Sequence, residues 1–145
     1  MELADKVRAA KRVYLIGNGG SAANAIHIAN DLIACGVKAY TLDLATLTAI
    51  GNDFGYEHIF SKWLATVGEK GDLLIALSGS GKSRNVLNAL AMADEIGMEA
   101  VLISDHLQTM DMQRSEESQL EIGHELMRCL RDRQLRVGVG EEGME

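Results

Sequence analysis

Two glycine-rich loops are the parts of this sequence best suited to chemistry: Gly17-Asn18-Gly19-Gly20-Ser21-Ala22 and Ser78-Gly79-Ser80-Gly81-Lys82-Ser83. Each directly follows a short apolar run and leads directly into a helix-periodic stretch. Such a junction aims backbone N–H groups and the positive end of a helix dipole at one point, which suits an anion. The second loop adds the hydroxyls of Ser78, Ser80 and Ser83, donors fit for a single phosphate monoester dianion. Its composition fits a flexible turn with an N-cap serine equally well. It ends like a nucleotide P-loop, but the first glycine of that pattern would fall on Ala76. The first loop satisfies G-x-G-x-x-A, and Asp43 stands where a ribose-binding acid is expected, so a dinucleotide reading stays open.

A second group of residues could move protons. His27 and Asp31 are four apart on the stretch after the first loop, so on a helix they share one face. His124 would complete an acid–base set if the last helix packs over that face. Carboxylate and imidazole both tune toward neutral pH. The bland alternatives are a surface hydrogen bond for the His27/Asp31 pair and a structural role for His124.

The elements that must position these groups alternate along the chain. A short helix is predicted over 3–11, a buried strand at Val13–Ile16, a helix over Ala22–Ala34 and a second strand at Ala39–Leu42. Helical segments broken around Gly51 and Gly55 fill 45–67, with Trp63 as a core anchor. Asp72–Leu77 is the clearest strand. A helix over 83–96 capped by Gly97, a strand at Ala100–Ile103, and a last helix from an N-cap at Ser115 to Arg133 complete the order. Strands alternating with helices imply a parallel sheet covered on both faces, with ligands at the carboxyl ends of its strands.

Composition narrows the function classes. The chain has 145 residues, 47% hydrophobic and 4% aromatic, so one core is built mainly from aliphatic side chains. Acidic residues outnumber basic ones 21 to 14, a net charge of −7, which argues against a nucleic-acid surface. No apolar run is long enough for a membrane span, and the charged start Met1–Lys6 is unlike a signal peptide. Cys35 and Cys129 lack metal-type spacing and read as reduced thiols of a cytoplasmic protein.

The motifs together resemble a known family. Gly17–Ala23 with His27 downstream, Gly51-Asn52-Asp53-Phe54-Gly55-Tyr56, and Leu77–Ser83 followed by Asn85-Val86 closely resemble sedoheptulose 7-phosphate isomerases. These sugar isomerase (SIS) domain proteins interconvert sedoheptulose 7-phosphate and glycero-manno-heptose 7-phosphate for surface heptose synthesis. The resemblance runs from about Arg12 to Asp105 and returns from Glu116 to Leu130. It implies a three-layer αβα sandwich, flavodoxin- or Rossmann-like and somewhat truncated, forming a single domain over 1–133 with a flexible tail at 134–145. It implies that Ser78, Gly79, Ser80 and Ser83 hold the phosphate, that Asn18, Gly19, Gly20, Ser21 and Glu116 line the substrate, and that Asn52 and Asp53 contact its hydroxyls. Asp31 and His124 become the acid–base pair of an enediol route. His27, Asp31, Glu116 and His124 become the positions of a zinc site, with no organic cofactor.

Three family positions differ here: a glutamate is Asp31, a glutamine is Glu116, and a further histidine is Gln119. Family members also assemble, so a dimer or tetramer is expected, although the helical extension that supports their tetramers is largely missing. Asp31 and Glu116 favour an alternative, a non-catalytic sugar-phosphate-binding module of the DnaA-initiator-associating type.

Overall fold

Alternation along the strands decides the layers. Val13 and Leu15 of β1 (Val13–Gly17) bury on one side while Tyr14 and Ile16 bury on the other. β3 (Leu73–Leu77) does the same, Leu73, Ile75 and Leu77 against Leu74 and Ala76. A strand apolar on both faces needs cover on both faces. The computed structural model describes residues 2–104 and 111–142, with side chains through residue 131.

The remaining elements are α1 (Leu3–Ala9), α2 (Gly20–Ala34), β2 (Ala39–Thr41), α3 (Leu44–Phe54), a 3-10 turn (Tyr56–His58), α4 (Ile59–Val67), α5 (Arg84–Ile96), β4 (Glu99–Ile103) and α6 (Met112–Glu142). The four strands pair in the order β2-β1-β3-β4, all parallel. α1, α2 and α6 cover the Val13/Leu15 side with Val7, Ile28, Leu32 and Leu126. α4 and α5 cover the other side with Ile59, Trp63, Leu64 and Val86. The αβα sandwich expected from the sequence is the observed fold.

Most boundaries fall within two residues of the sequence reading, and those of α3 and α6 differ most. α3 runs unbroken through Gly51 and stops only at Gly55, whose φ of 101° no helix continues. One interior glycine costs a helix only about 1 kcal/mol. α6 begins before Ser115: the Asp111 carboxylate accepts from the Arg114 amide at 2.9 Å and takes the capping role, while Ser115 is buried inside the first turn. The α6 backbone continues helical to Glu142, past residue 133, where the sequence places its end and the start of a tail.

Candidate active site

The chain leaves β1 through α2 toward β2 and leaves β3 through α5 toward β4, so the connections diverge between two neighbouring strands. A crevice opens at the carboxyl ends of such strands, and both glycine-rich loops stand there.

The second loop is closed on itself. Ser78 Oγ accepts from the Gly81 amide at 3.1 Å and lies 3.4 Å from Ser83 Oγ; Ser80 Oγ accepts from the Lys82 amide at 3.1 Å. Ser78 is buried, and Ser80 is exposed. The hydroxyls therefore hold the amides in one cluster, where an anion's oxygens can take their place. α6 roofs the loop: a Cβ on Gly79 would lie 2.9 Å from Ser115 Oγ and 3.3 Å from Met112 Sδ.

At the first loop, Gly19 caps α2 and the Ser21 amide donates to the Asn18 carbonyl at 3.0 Å. A Cβ on Gly20 would overlap the Glu116 carboxylate, so the bare glycine lets that side chain lie where it does. Glu116 thus rests on the first turn of α2. The Asn18 and Asn85 side chains exchange two hydrogen bonds of 2.9 Å, and the Tyr56 hydroxyl donates to Asn18 Oδ1 at 2.8 Å. Asn18 is largely engaged within the protein, joining the first loop, the 3-10 turn and α5. Asn52 and Asp53 are exposed on the last turn of α3, where Asn52 donates to Asp53 at 3.1 Å. The Asp43 carboxylate accepts from the Thr46 amide at 3.0 Å as the N-cap of α3. Hydrogen bonds from Thr46 hold its carboxyl below the usual range. That local role accounts for the acid that the dinucleotide reading singled out.

α6 lies along α2 and brings the proton-moving residues together. His27 Nε2 stands 3.2 Å from His124 Nε2 and 3.4 Å from Asp31 Oδ2. Ligand atoms of all three lie within 4.8 Å of one another. The Asp31 side chain is 14% exposed, and its Oδ2 is buried with no hydrogen-bond partner among the described residues. A hydrogen bond between the two imidazoles requires one ring to carry its proton on Nε2. Glu116, expected with this cluster, is not part of it; its carboxylate lies over Gly20 instead.

Sequence reasoning gave no role to four residues that hold the site together: Asn24, Tyr56, Asn85 and Gln119, the last noted only as replacing a family histidine. Asn85 and Tyr56 fall inside quoted motifs, but their partners are distant in sequence. Asn24 donates to the Glu116 carbonyl at 2.8 Å and to Gln119 Oε1 at 3.0 Å, and Gln119 donates to Ser21 Oγ at 3.0 Å. Polar residues inside otherwise apolar helix faces were the available sign, since buried polar groups need partners.

Known proteins match this chain in sequence and in fold. The chain is 42% identical over 108 residues to the phosphoheptose isomerase of Akkermansia muciniphila, covering 69% of this chain and 57% of that protein. It is 45% identical over 103 residues to the phosphoheptose isomerase of Rhodospirillum rubrum, covering 66% and 55%. The chain thus spans about half the length of the curated relatives it matches. The solved phosphoheptose isomerase from Neisseria gonorrhoeae superposes with a TM-score of 0.82 at 28% identity, covering 90% of this chain and 81% of that one. The SIS domain model matches residues 2–104, and the chain belongs to the SIS domain family.

Proposed function

We propose that this chain is an aldose–ketose isomerase of a phosphorylated sugar, sedoheptulose 7-phosphate being the substrate. The observation that carries the reading is the meeting of His27, Asp31 and His124 between α2 and α6, the helix whose first turn covers the hydroxyl-rich loop Ser78–Ser83. The relatives named phosphoheptose isomerase support it.

In this reading the loop Ser78–Ser83, with Gly79 at its close approach to α6, binds the phosphate. Its oxygens accept from the Gly81 and Lys82 amides that Ser78 and Ser80 now engage. Gly19, Gly20, Ser21 and Glu116 flank the sugar, with Asn18 shaping the loop. Asn52 and Asp53 supply polar groups from α3. Asp31 takes the proton from the carbon beside the carbonyl. His124 delivers a proton to the carbonyl oxygen, giving the enediol; Asp31 then returns its proton to the former carbonyl carbon while His124 takes the proton of the other enediol hydroxyl, which becomes the new carbonyl.

The cluster also fits a zinc ion. Zn–N bonds of about 2.0–2.1 Å put tetrahedral ligand atoms about 3.3–3.4 Å apart. The 3.2 Å and 3.4 Å separations around His27 Nε2 match that edge, and two imidazoles with a carboxylate are suitable donors. His27, Asp31 and His124 would hold the ion, and its Lewis-acid polarisation of a sugar oxygen would then take the place of the proton from His124. Self-association is part of the reading: α3 buries none of its residues, and Leu44, Ile26 and Phe54 are exposed nearby.

The test is incubation of the purified chain with sedoheptulose 7-phosphate. Aldose product is expected. Binding without turnover would replace the isomerase with a sugar-phosphate-binding module.

A further inference from the structure

The approach of His124 to His27 depends on how α6 sits against α2, and two kinds of contact hold it there. Leu126 and Leu130 bury against the core on the α6 side. Apolar contacts of this kind are non-directional and tolerate sliding along the axis. A slide of one residue, about 1.5 Å, would move His124 out of hydrogen-bond range of His27. Register therefore needs directional bonds, and two of those described meet on one buried side chain.

Gln119 is 2% exposed. Its Oε1 accepts from Asn24 Nδ2 at 3.0 Å, and its Nε2 donates to Ser21 Oγ at 3.0 Å. Asn24 Nδ2 also donates to the Glu116 carbonyl at 2.8 Å, so both its hydrogens are engaged and the Gln119 amide has one orientation. The helices run side by side in one direction: Ser21 and Asn24 meet Gln119, His27 meets His124, and further along Cys35 Sγ stands 3.9 Å from the Met127 carbonyl. The clasp lies just upstream of the histidines.

We propose that Gln119 is a positioning residue. Its buried amide fixes the register of α6 on α2, so that the His27, Asp31 and His124 donor atoms converge at the spacing a metal ion requires. The role rests on the metal reading of that cluster, but the spacing itself can be measured without metal. A buried polar clasp whose amide oxygen and nitrogen are both engaged specifies one arrangement where apolar packing alone would allow several. Groups that orient metal ligands typically carry about 10–100-fold in affinity.

The experiment is a Co²⁺ titration followed by the d–d absorption of the bound ion, with metal-free crystal structures of the same proteins. Gln119→Met keeps the volume and removes both hydrogen bonds; Leu130→Ala weakens the same helix contact without touching the clasp. Gln119→His restores one donor and one acceptor. We expect Gln119→Met to bind Co²⁺ about 10–100-fold more weakly with an altered spectrum. Leu130→Ala should bind as the parent does, and Gln119→His should recover affinity. In the metal-free Gln119→Met structure the two Nε2 atoms should stand farther apart than 3.2 Å. If Gln119→Met does not fold, Gln119→Ala takes its place, its smaller side chain admitting water to Ser21 and Asn24. Unchanged affinity in the Gln119 variant, or an equal loss in Leu130→Ala, would overturn the proposal. If the parent binds no Co²⁺, the metal reading fails by itself. The metal-free spacing then decides: retention of the parental histidine separation in the variant overturns the positioning role, and its widening upholds it.

Discussion

Ser80 and Ser83 show how a short motif is read at the level of single side chains. Each hydroxyl sits beside a backbone amide or another hydroxyl of the same loop, within 3.4 Å. A dianion entering this cluster would gain hydrogen bonds to charge worth about 1.5–3 kcal/mol each. Replacing both serines by alanine should therefore weaken sugar-phosphate binding at least tenfold while leaving the fold intact, as isothermal titration and circular dichroism would report. An unchanged dissociation constant would remove the loop from the site. The loop was legible in the sequence because its residues and their partners are neighbours in the chain. The Asn18–Asn85 exchange was not, because its partners lie 67 residues apart and meet only through the pairing of β1 with β3. Glu116 illustrates the same limit. The resemblance placed it with the metal ligands, whereas the approach of α6 to Gly20 puts its carboxylate over the head of α2.

At the scale of elements, the closeness of α2 to α6 depends on Gly123. A Cβ there would lie 2.5 Å from Ile28 Cγ1 and 2.8 Å from its Cδ1, and Ile28 is buried at 2% exposure. Alanine should favour the helix by about 1 kcal/mol. Overpacking against a stiff β-branched side chain costs about 1–3 kcal/mol. The steric cost should win in Gly123→Ala, giving a lower melting temperature and more widely separated histidines in its crystal structure. Tyr14 makes a second element-level link, its hydroxyl donating to the Val67 carbonyl at 2.9 Å and tying β1 to the end of α4. Burial, then the nearby Asp72 carboxylate, raises the Tyr14 pKa above its ordinary 10.0. A group whose folded pKa is raised contributes stability that is fully present below the unfolded value and lost as pH rises through the folded one. Thermal denaturation should thus show a Tyr14-dependent loss above about pH 10 that Tyr14→Phe abolishes. Strand and helix order was legible from periodicity. The start of α6 was not, since Asp111 and Ser115 are both good capping residues and only the packing of Ser115 beneath Gly79 decides between them.

For the whole molecule, the parallel order β2-β1-β3-β4 explains why both functional loops meet at one end of the sheet, where its two inner strands finish. The exposed apolar residues on and beside α3, Leu44 at 76% and Phe54 at 53% among them, suit an interface between copies. Sedimentation velocity should show a species larger than the 145-residue monomer, and Leu44→Lys should shift it toward the monomer.

The central claim is that Asp31 and His124 transfer a proton on a bound sugar phosphate. It is tested most directly by incubating the purified chain with sedoheptulose 7-phosphate in deuterated water and following both sugars by NMR. An enediol route predicts aldose product with deuterium at C2 and recovered ketose with deuterium at C1. His124→Ala should lower the rate about 10²–10⁴-fold while phosphate affinity stays nearly intact. Tight sugar-phosphate binding with neither product nor deuterium incorporation would contradict the claim.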